Sequence, residues 1–235
     1  MCGRYKLTSP PEALERIFQA GGSPNFPERY NIAPTQQAPV VCHSGAGGRA
    51  LVLMRWGLIP GNSSQGSKGK PLINARSETI ARVASFRSAF QSRRCLVPAN
   101  GFYEWTVTAG SRQPYLFCRK DKAVFCFAGV WETWNEPQGN QPIESFAILT
   151  TAASAFVRPI HRRMPVILAT EQYAEWLGEV PASQLELSEM TVPGKDEDFV
   201  VYPVSKRVNT PANDGPGCID PVDPQDQGDE IGRLL

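Results

Sequence analysis

Residues 114–131 read PYLFCRKDKAVFCFAGVW, two β-rich apolar runs, 114–119 and 123–131, with charged residues rather than a helix between them. Similar short runs occupy 38–42, 50–56, 95–98, 145–151, 165–169 and 199–204. That spacing argues against repeated βαβ units and predicts a mixed, barrel-like β core with peripheral helices, an α+β class. Ser9-Pro10-Pro11-Glu12 reads as a helix start: serine N-cap, proline at the first helical position, glutamate three residues on. Leu14, Ile17 and Phe18 supply its apolar stripe, and Gly21-Gly22 ends it. A second helix is expected over about 77–90, with Ile80, Val83 and Phe90 inward. A third is expected from Thr170 through Tyr173, Trp176 and Leu177 to Gly178. Residues 61–70, GNSSQGSKGK, read as a flexible loop.

The 235 residues suffice for one substantial core, and we read one domain over 1–219 with a disordered acidic tail over 220–235. Hydrophobic content of 41% and charge of 20% suit a soluble globular protein. No apolar run approaches the ~20 residues of a membrane span, and no signal segment opens the chain, so an intracellular location is expected. Six scattered cysteines without a Cys-x-x-Cys pair, and only His43 and His161 beside them, argue against a structural zinc site. Net charge is +1, but residues 1–194 carry 20 Lys and Arg against 14 Asp and Glu, and residues 195–235 carry 4 against 9. A mildly basic body permits a local phosphate-binding groove.

Cys2 carries the most distinctive chemistry. Removal of Met1 would place an α-amine and a thiol on one residue, a pair no internal cysteine offers. With ordinary pKa values of about 8 and about 8.5, a useful fraction of the amine is ready to attack a carbonyl at neutral pH. An aldehyde would give an imine, which the thiol then closes to a five-membered thiazolidine. The same residue is also suited to attacking an amide or ester through sulfur, with its own amine as base.

Several strand-like segments place polar side chains among apolar ones. Leu72-Ile73-Asn74-Ala75-Arg76 carries an amide and a guanidinium. Asn100-Gly101-Phe102-Tyr103-Glu104-Trp105 sets a glutamate between two aromatics, a setting that raises a carboxyl pKa toward neutrality. Ile160-His161-Arg162-Arg163-Met164-Pro165 sets a histidine beside two arginines. Singly, each is consistent with a structural role such as a satisfied buried amide or an ion pair.

Together with Cys2 they are harder to read that way. The stretches MCGRY (1–5), RYNIAPTQ (29–36), WGLIP (56–60), LINARSET (72–79), CLVPANGFYEW (95–105), AGVWE (128–132), FAILTTAA (146–153), IHRRMPVIL (160–168) and PVSKRVN (203–209) run in order along the chain. The set resembles the SRAP family, the SOS response-associated peptidase-like proteins that crosslink to abasic sites in DNA.

The resemblance implies that the Cys2 amine attacks the C1′ aldehyde of an opened abasic sugar and the thiol closes the ring. It implies that Asn74 orients the sugar and Cys2, that Glu104 shuttles protons, and that His161 assists ring opening and crosslink reversal. Arg4, Arg76 and Arg162 become candidate phosphate contacts, Trp105 and Trp56 candidate stacking platforms, and Thr150 a pocket candidate. Where many relatives place aromatics after WGLIP, this chain has GNSSQGSKGK, with Lys68 and Lys70 as replacement charges. The implied partners are single-stranded DNA containing abasic sites and replication-fork machinery, with no cofactor, no metal and no membrane. A monomer is expected, cytoplasmic, nucleoid-associated in a bacterium or nuclear in a eukaryote. Peptidase and lyase-type activity are implied as well, the former reaching no further than removal of Met1 in cis.

Two other readings remain open on the residues alone. An N-terminal-nucleophile glutamine amidotransferase also begins Met-Cys-Gly and uses an Asn-Gly oxyanion element, which Asn100-Gly101 matches. A non-covalent reader of damaged DNA would not need Cys2.

Overall fold

The computed structural model describes residues 2–223, except 23, 46, 65, 109–110, 136–140 and 195. In chain order the strands and helices are β1 (Tyr5–Leu7), α1 (Pro11–Phe18), β2 (Ala20–Gly21), β3 (Arg29–Ile32), β4 (Gln37–Ser44), β5 (Gly48–Trp56), β6 (Asn74–Arg76), α2 (Ala84–Ser92) and β7 (Arg94–Ala99). They continue with β8 (Gly101–Thr108), β9 (Ser111–Arg119), β10 (Phe125–Trp134), β11 (Ile143–Ala152), β12 (Arg163–Pro165), β13 (Ile167–Leu168), α3 (Tyr173–Leu177), α4 (Gln184–Glu189) and β14 (Phe199–Pro203).

Strands β11, β10, β7, β4 and β5 are hydrogen-bonded in that order, and β5 returns to β11 through the parallel pairs Ser145↔Arg55 and Phe146↔Trp56. The ring closes into a five-stranded barrel, which leaves none of its members with an open edge. A second sheet, in the order β14-β9-β8-β1-β3, packs beside it. The expected α+β class with a barrel-like core is the architecture found.

The core lies between the two sheets. Tyr5 meets Trp56 edge-on with ring centroids 5.2 Å apart and Phe127 at 5.8 Å; Phe102 stacks on Phe117 at 4.8 Å. Full burial of each such ring stabilises the fold by roughly 2–3 kcal/mol. The first six residues of β10 are all buried, as a continuous apolar run covered on both faces should be. Gly129 lets β10 approach β7: a Cβ there would lie 2.7 Å from Cys95 Sγ. The six cysteines are all free and buried.

The helices depart from expectation where tertiary contacts take over. Ser9 does not cap α1; its N–H and hydroxyl both donate to Asn100 Oδ1, 91 residues away. Helix α1 ends at Phe18 with Gln19 in the left-handed region, and Ala20–Gly21 becomes a strand; Leu14 and Phe18 are buried, but Ile17 is exposed. Helix α2 starts at Ala84 rather than 77, because Ser77 N–H is drawn to Thr150 O and 77–82 forms turns. Val83 is exposed accordingly. The third helix stands as read, a 3-10 turn (Thr170–Gln172) leading into α3 and stopping at Gly178 with φ 81°. Part of loop 61–70 is stapled: Trp134 Nε1 donates to Ser63 O, and its ring leaves no room for a Cβ at Gly66.

After β14 the chain folds back on itself. Asp220 O accepts from Ser205 N–H, and Val222 N–H donates to Pro203 O. Ordered contacts thus pass the expected start of the acidic tail, and the rest of that tail, 224–235, lies outside the described residues. No helix among the described residues is long and apolar enough to cross a membrane.

Candidate active site

Strand β1 sits between β8 and β3, with Tyr5 opposite Phe102 on one side and Ile32 on the other. This places the head of the chain across β8. Successive strand residues alternate faces, so Phe102 and Glu104 point toward the large core while Tyr103 and Trp105 join a smaller apolar cluster. Glu104 is therefore desolvated by the core rather than by its two aromatic neighbours in sequence.

Burial pushes the Glu104 carboxyl up to about 7, with the positive chain terminus pulling the other way. Its Oε1 lies 3.7 Å from Nδ1 of His161. The histidine is half-buried in the turn entering β12. Its Nδ1 lies 3.0 Å from the N–H of Arg163, which donates to it in one tautomer, and 2.8 Å from the Arg163 carbonyl, which accepts from it in the other. Burial is the main cause of its lowered pKa, so the ring is neutral near pH 7.

Cys2 is fully buried. Burial first, and the Glu104 charge second, hold its thiol well above the usual range and hence protonated. Asn74, opening β6 where that strand pairs in parallel with β11, donates from Nδ2 to the Cys2 carbonyl at 2.8 Å. Its Oδ1 is buried with no hydrogen-bond partner among the described residues. Asn74 thus touches Cys2, Glu104 faces His161, and the Glu104 charge acts on the Cys2 thiol.

Glu104 and His161 open onto a cavity of about 440 Å³ whose lining also includes Gly3, Arg4, Trp105, Arg112 and Asn209; Cys2 and Asn74 lie behind it and do not line it. Trp105 is clamped there. The Arg4 and Arg112 guanidiniums stand 5.9 and 5.8 Å from its ring centroid, and Nε1 donates to Asn209 Oδ1 at 2.6 Å. Arg4 is itself anchored, with Nη1 donating to Asn31 Oδ1 at 2.8 Å and Val208 O at 2.7 Å.

The other expected contacts lie elsewhere. Arg76, at the end of β6, and Arg162 are exposed and do not line the cavity. Thr150 is fully buried, its carbonyl and hydroxyl oxygens accepting from Arg163 Nη2 at 2.6 and 3.2 Å. Trp56 is a core residue, with Nε1 donating to Ile73 O. Asn100 is spent structurally: Oδ1 accepts from Thr8 N–H, Ser9 N–H and the Ser9 hydroxyl, and Nδ2 donates to Lys122 O. Its oxygen and one of its two amide hydrogens are thereby committed to backbone and Ser9, and the side chain does not line the cavity, which counts against the amidotransferase reading.

Arg163, Arg112, Asn31 and Asn209 were missed as site residues. Arg163 pairs with Glu78 while its backbone brackets His161, so it belongs to the site more directly than its neighbour Arg162.

The profile of the family described as SOS response associated peptidase (SRAP) matches residues 1–211. The chain belongs to the SRAP family. Among its relatives is the abasic site processing protein YoqW of Bacillus subtilis, 37% identical over 226 residues, covering 94% of this chain and 99% of the relative. The abasic site processing protein HMCES of Gallus gallus is 30% identical over 224 residues, 83% of this chain and 66% of the relative. A solved protein from Bacteroides thetaiotaomicron shares the SRAP chain's fold with a TM-score of 0.84 at 23% identity, covering 94% of this chain and all of that one. Another, from Bordetella bronchiseptica, has a TM-score of 0.75 at 28% identity, covering 87% of this chain.

Proposed function

We propose that this SRAP protein processes abasic sites in single-stranded DNA by forming a covalent thiazolidine between Cys2 and the lesion once Met1 has been removed. The observation that carries the reading is the pairing of Asn74 with Cys2 and of Glu104 with His161, the Glu104 charge acting on the Cys2 thiol, beside a cavity lined by Gly3, Glu104, His161, Arg4 and Arg112. The names of the relatives, abasic site processing proteins, agree with it.

In this mechanism the Cys2 amine adds to the C1′ aldehyde. Glu104, poised near neutrality, protonates the departing hydroxyl, water leaves, and an imine remains. The buried, protonated thiol then adds to the imine carbon while its proton passes to nitrogen, so closing the ring loses one water overall. A thiol held neutral by burial suits this order, in which the amine attacks first. The Asn74 Oδ1 serves as acceptor for a sugar hydroxyl, and His161 delivers a proton to the ring oxygen or, on reversal, to the departing sulfur. If the thiol fails to close, the imine acidifies C2′ and the 3′ phosphate is eliminated, which is the lyase-type outcome. Peptidase chemistry is confined to Met1 in cis. Replication-fork partners, a monomeric state and a cytoplasmic, nucleoid or nuclear site belong to the same proposal.

The test is intact mass after mixing the purified chain with an abasic single-stranded oligonucleotide. The expected product lacks Met1 and carries a heat-stable adduct formed with loss of one water. Cys2→Ala should give none, and Cys2→Ser at most a reversible imine or a slow oxazolidine. Equal heat-stable crosslinking by Cys2→Ala overturns the proposal; no adduct from either protein, with binding to damaged DNA kept, overturns it too and favours a reader that needs no Cys2.

A further inference from the structure

A second cavity, of about 410 Å³, opens where the end of α2 meets the segments around α3 and α4, and it shares no lining residue with the cavity at Glu104 and His161. Its volume falls in the range of small-ligand sites, about 300–1,000 Å³. Phe90, Ala182 and Leu187 give it apolar walls, and its one cation is Arg94.

Arg94 is half-buried. Its Nη1 donates to the carbonyls of Phe90 and Gln91 at 2.9 and 2.8 Å, and its Nε donates to Trp176 O. These bonds tie together the ends of α2 and α3 but leave the charge uncompensated: among the described residues no carboxylate pairs with Arg94, and Nη2 makes no hydrogen bond. Glu179 also lines the cavity, yet both its oxygens are taken by Arg49, at 2.7 and 2.9 Å. Gly178, with φ 81°, keeps the free edge clear, since a Cβ there would sit 3.2 Å from Nη2. A buried charge without a counter-ion is costly, and burial accordingly lowers the Arg94 pKa.

We propose that this cavity binds a monocarboxylate carried on a compact apolar body, the carboxylate on Nη2 of Arg94 and the body against Phe90 and Leu187. A dianionic phosphate fits less well, because one guanidinium edge is free and the Glu179 charge stands on the same wall. The carboxylate has two sources, a free apolar acid or the C-terminus of a peptide.

The experiment is protein NMR of the full chain titrated with octanoate, with octanol, and with an acetylated dipeptide ending in leucine as its acid and as its amide. Saturable shifts should map to the amides of Val180, Ala182 and Leu187, with each acid binding at least about tenfold tighter than its neutral counterpart. The tighter acid names the source. Arg94→Gln should erase the preference for acids. Because Arg94 also holds helix ends, Ala182→Phe is the second variant: it fills the cavity from the rim and should abolish binding while melting and Cys2 crosslinking stay unchanged. Equal binding of acid and neutral probe, shifts confined to the cavity at Glu104 and His161, or no saturable shift overturns the inference.

Discussion

The side-chain amide of Asn74 donates to the main-chain carbonyl of Cys2 across 2.8 Å, so a residue in β6 sets the direction of the amine and the thiol 72 positions earlier. Asn74→Ala removes that hold and leaves a buried carbonyl unpaired, a loss of about 1–3 kcal/mol. Since small misplacements of a nucleophile cost up to about a hundredfold in rate, crosslinking followed by gel shift should slow ten- to a hundredfold. Asn74→Asp, which sets acceptor against acceptor, should be slower still. Rates within twofold of the parent for both variants would remove Asn74 from the site.

Glu104 should govern the pH profile. The free amine fraction rises through about 8, while the protonated carboxyl falls through about 7. Single-turnover crosslinking should therefore peak between these values. Glu104→Gln should be the slowest of the pocket variants and lose the alkaline fall.

The same carboxyl should weaken the fold at high pH. Its pKa is raised from 4.5 to about 7, so the native state holds an extra proton that the unfolded chain has released. Stability then falls as pH rises through that window, by about 3 kcal/mol in the limit. Urea unfolding should show Glu104→Gln more stable than the parent at pH 8.5 and little changed at pH 4. A parent–variant difference that does not vary with pH would contradict the raised pKa.

His161→Ala should slow reversal more than formation, because the imidazole beside Glu104 can take up a proton and, as imidazolium, hand it to the departing sulfur. A preformed adduct chased with excess unlabelled abasic DNA should exchange more slowly in the variant. Faster exchange would reverse the assignment.

Arg76 is exposed, and its guanidinium should meet a phosphate without reading a base. Arg76→Ala should weaken binding to intact single strands uniformly across sequences and reduce the salt slope by about one. Arg163→Ala should act differently, freeing Thr150 and Glu78 and lowering the melting temperature as well, while the backbone bonds to His161 stay.

The strands were legible because their apolar runs are long enough to outlast local detail; the run 114–119 falls within β9, and 123–131 meets β10 from Phe125 on. Helix ends were not, since Ser9 is captured by Asn100 and Ser77 by Thr150, partners invisible to any local window. The capping box of Ser183 and Glu186 at α4 was written in the sequence and overlooked. Within the site, unusual residue types in apolar settings pointed to Cys2, Asn74, Glu104 and His161. Arg162 and Arg163 differ only in which way the chain turns them as it enters β12, which neighbouring identical residues do not reveal. Asn31 carries no local signal, being a buried amide whose partners, Val208, Thr210 and Asn213, come from the far end of the fold.

The position of β1 has a consequence for the order of synthesis. Cys2 precedes its partners in the chain: among the described residues β1 pairs with β3 and β8, and Arg4 is closed off by the carbonyl of Val208, 204 residues later. In the proposed chemistry Cys2 therefore waits, without its acid, its orienting amide or its clamp, until those segments have been made. On a nascent chain its amine and thiol would be ordinary ones, the aldehyde trap armed only by the finished fold.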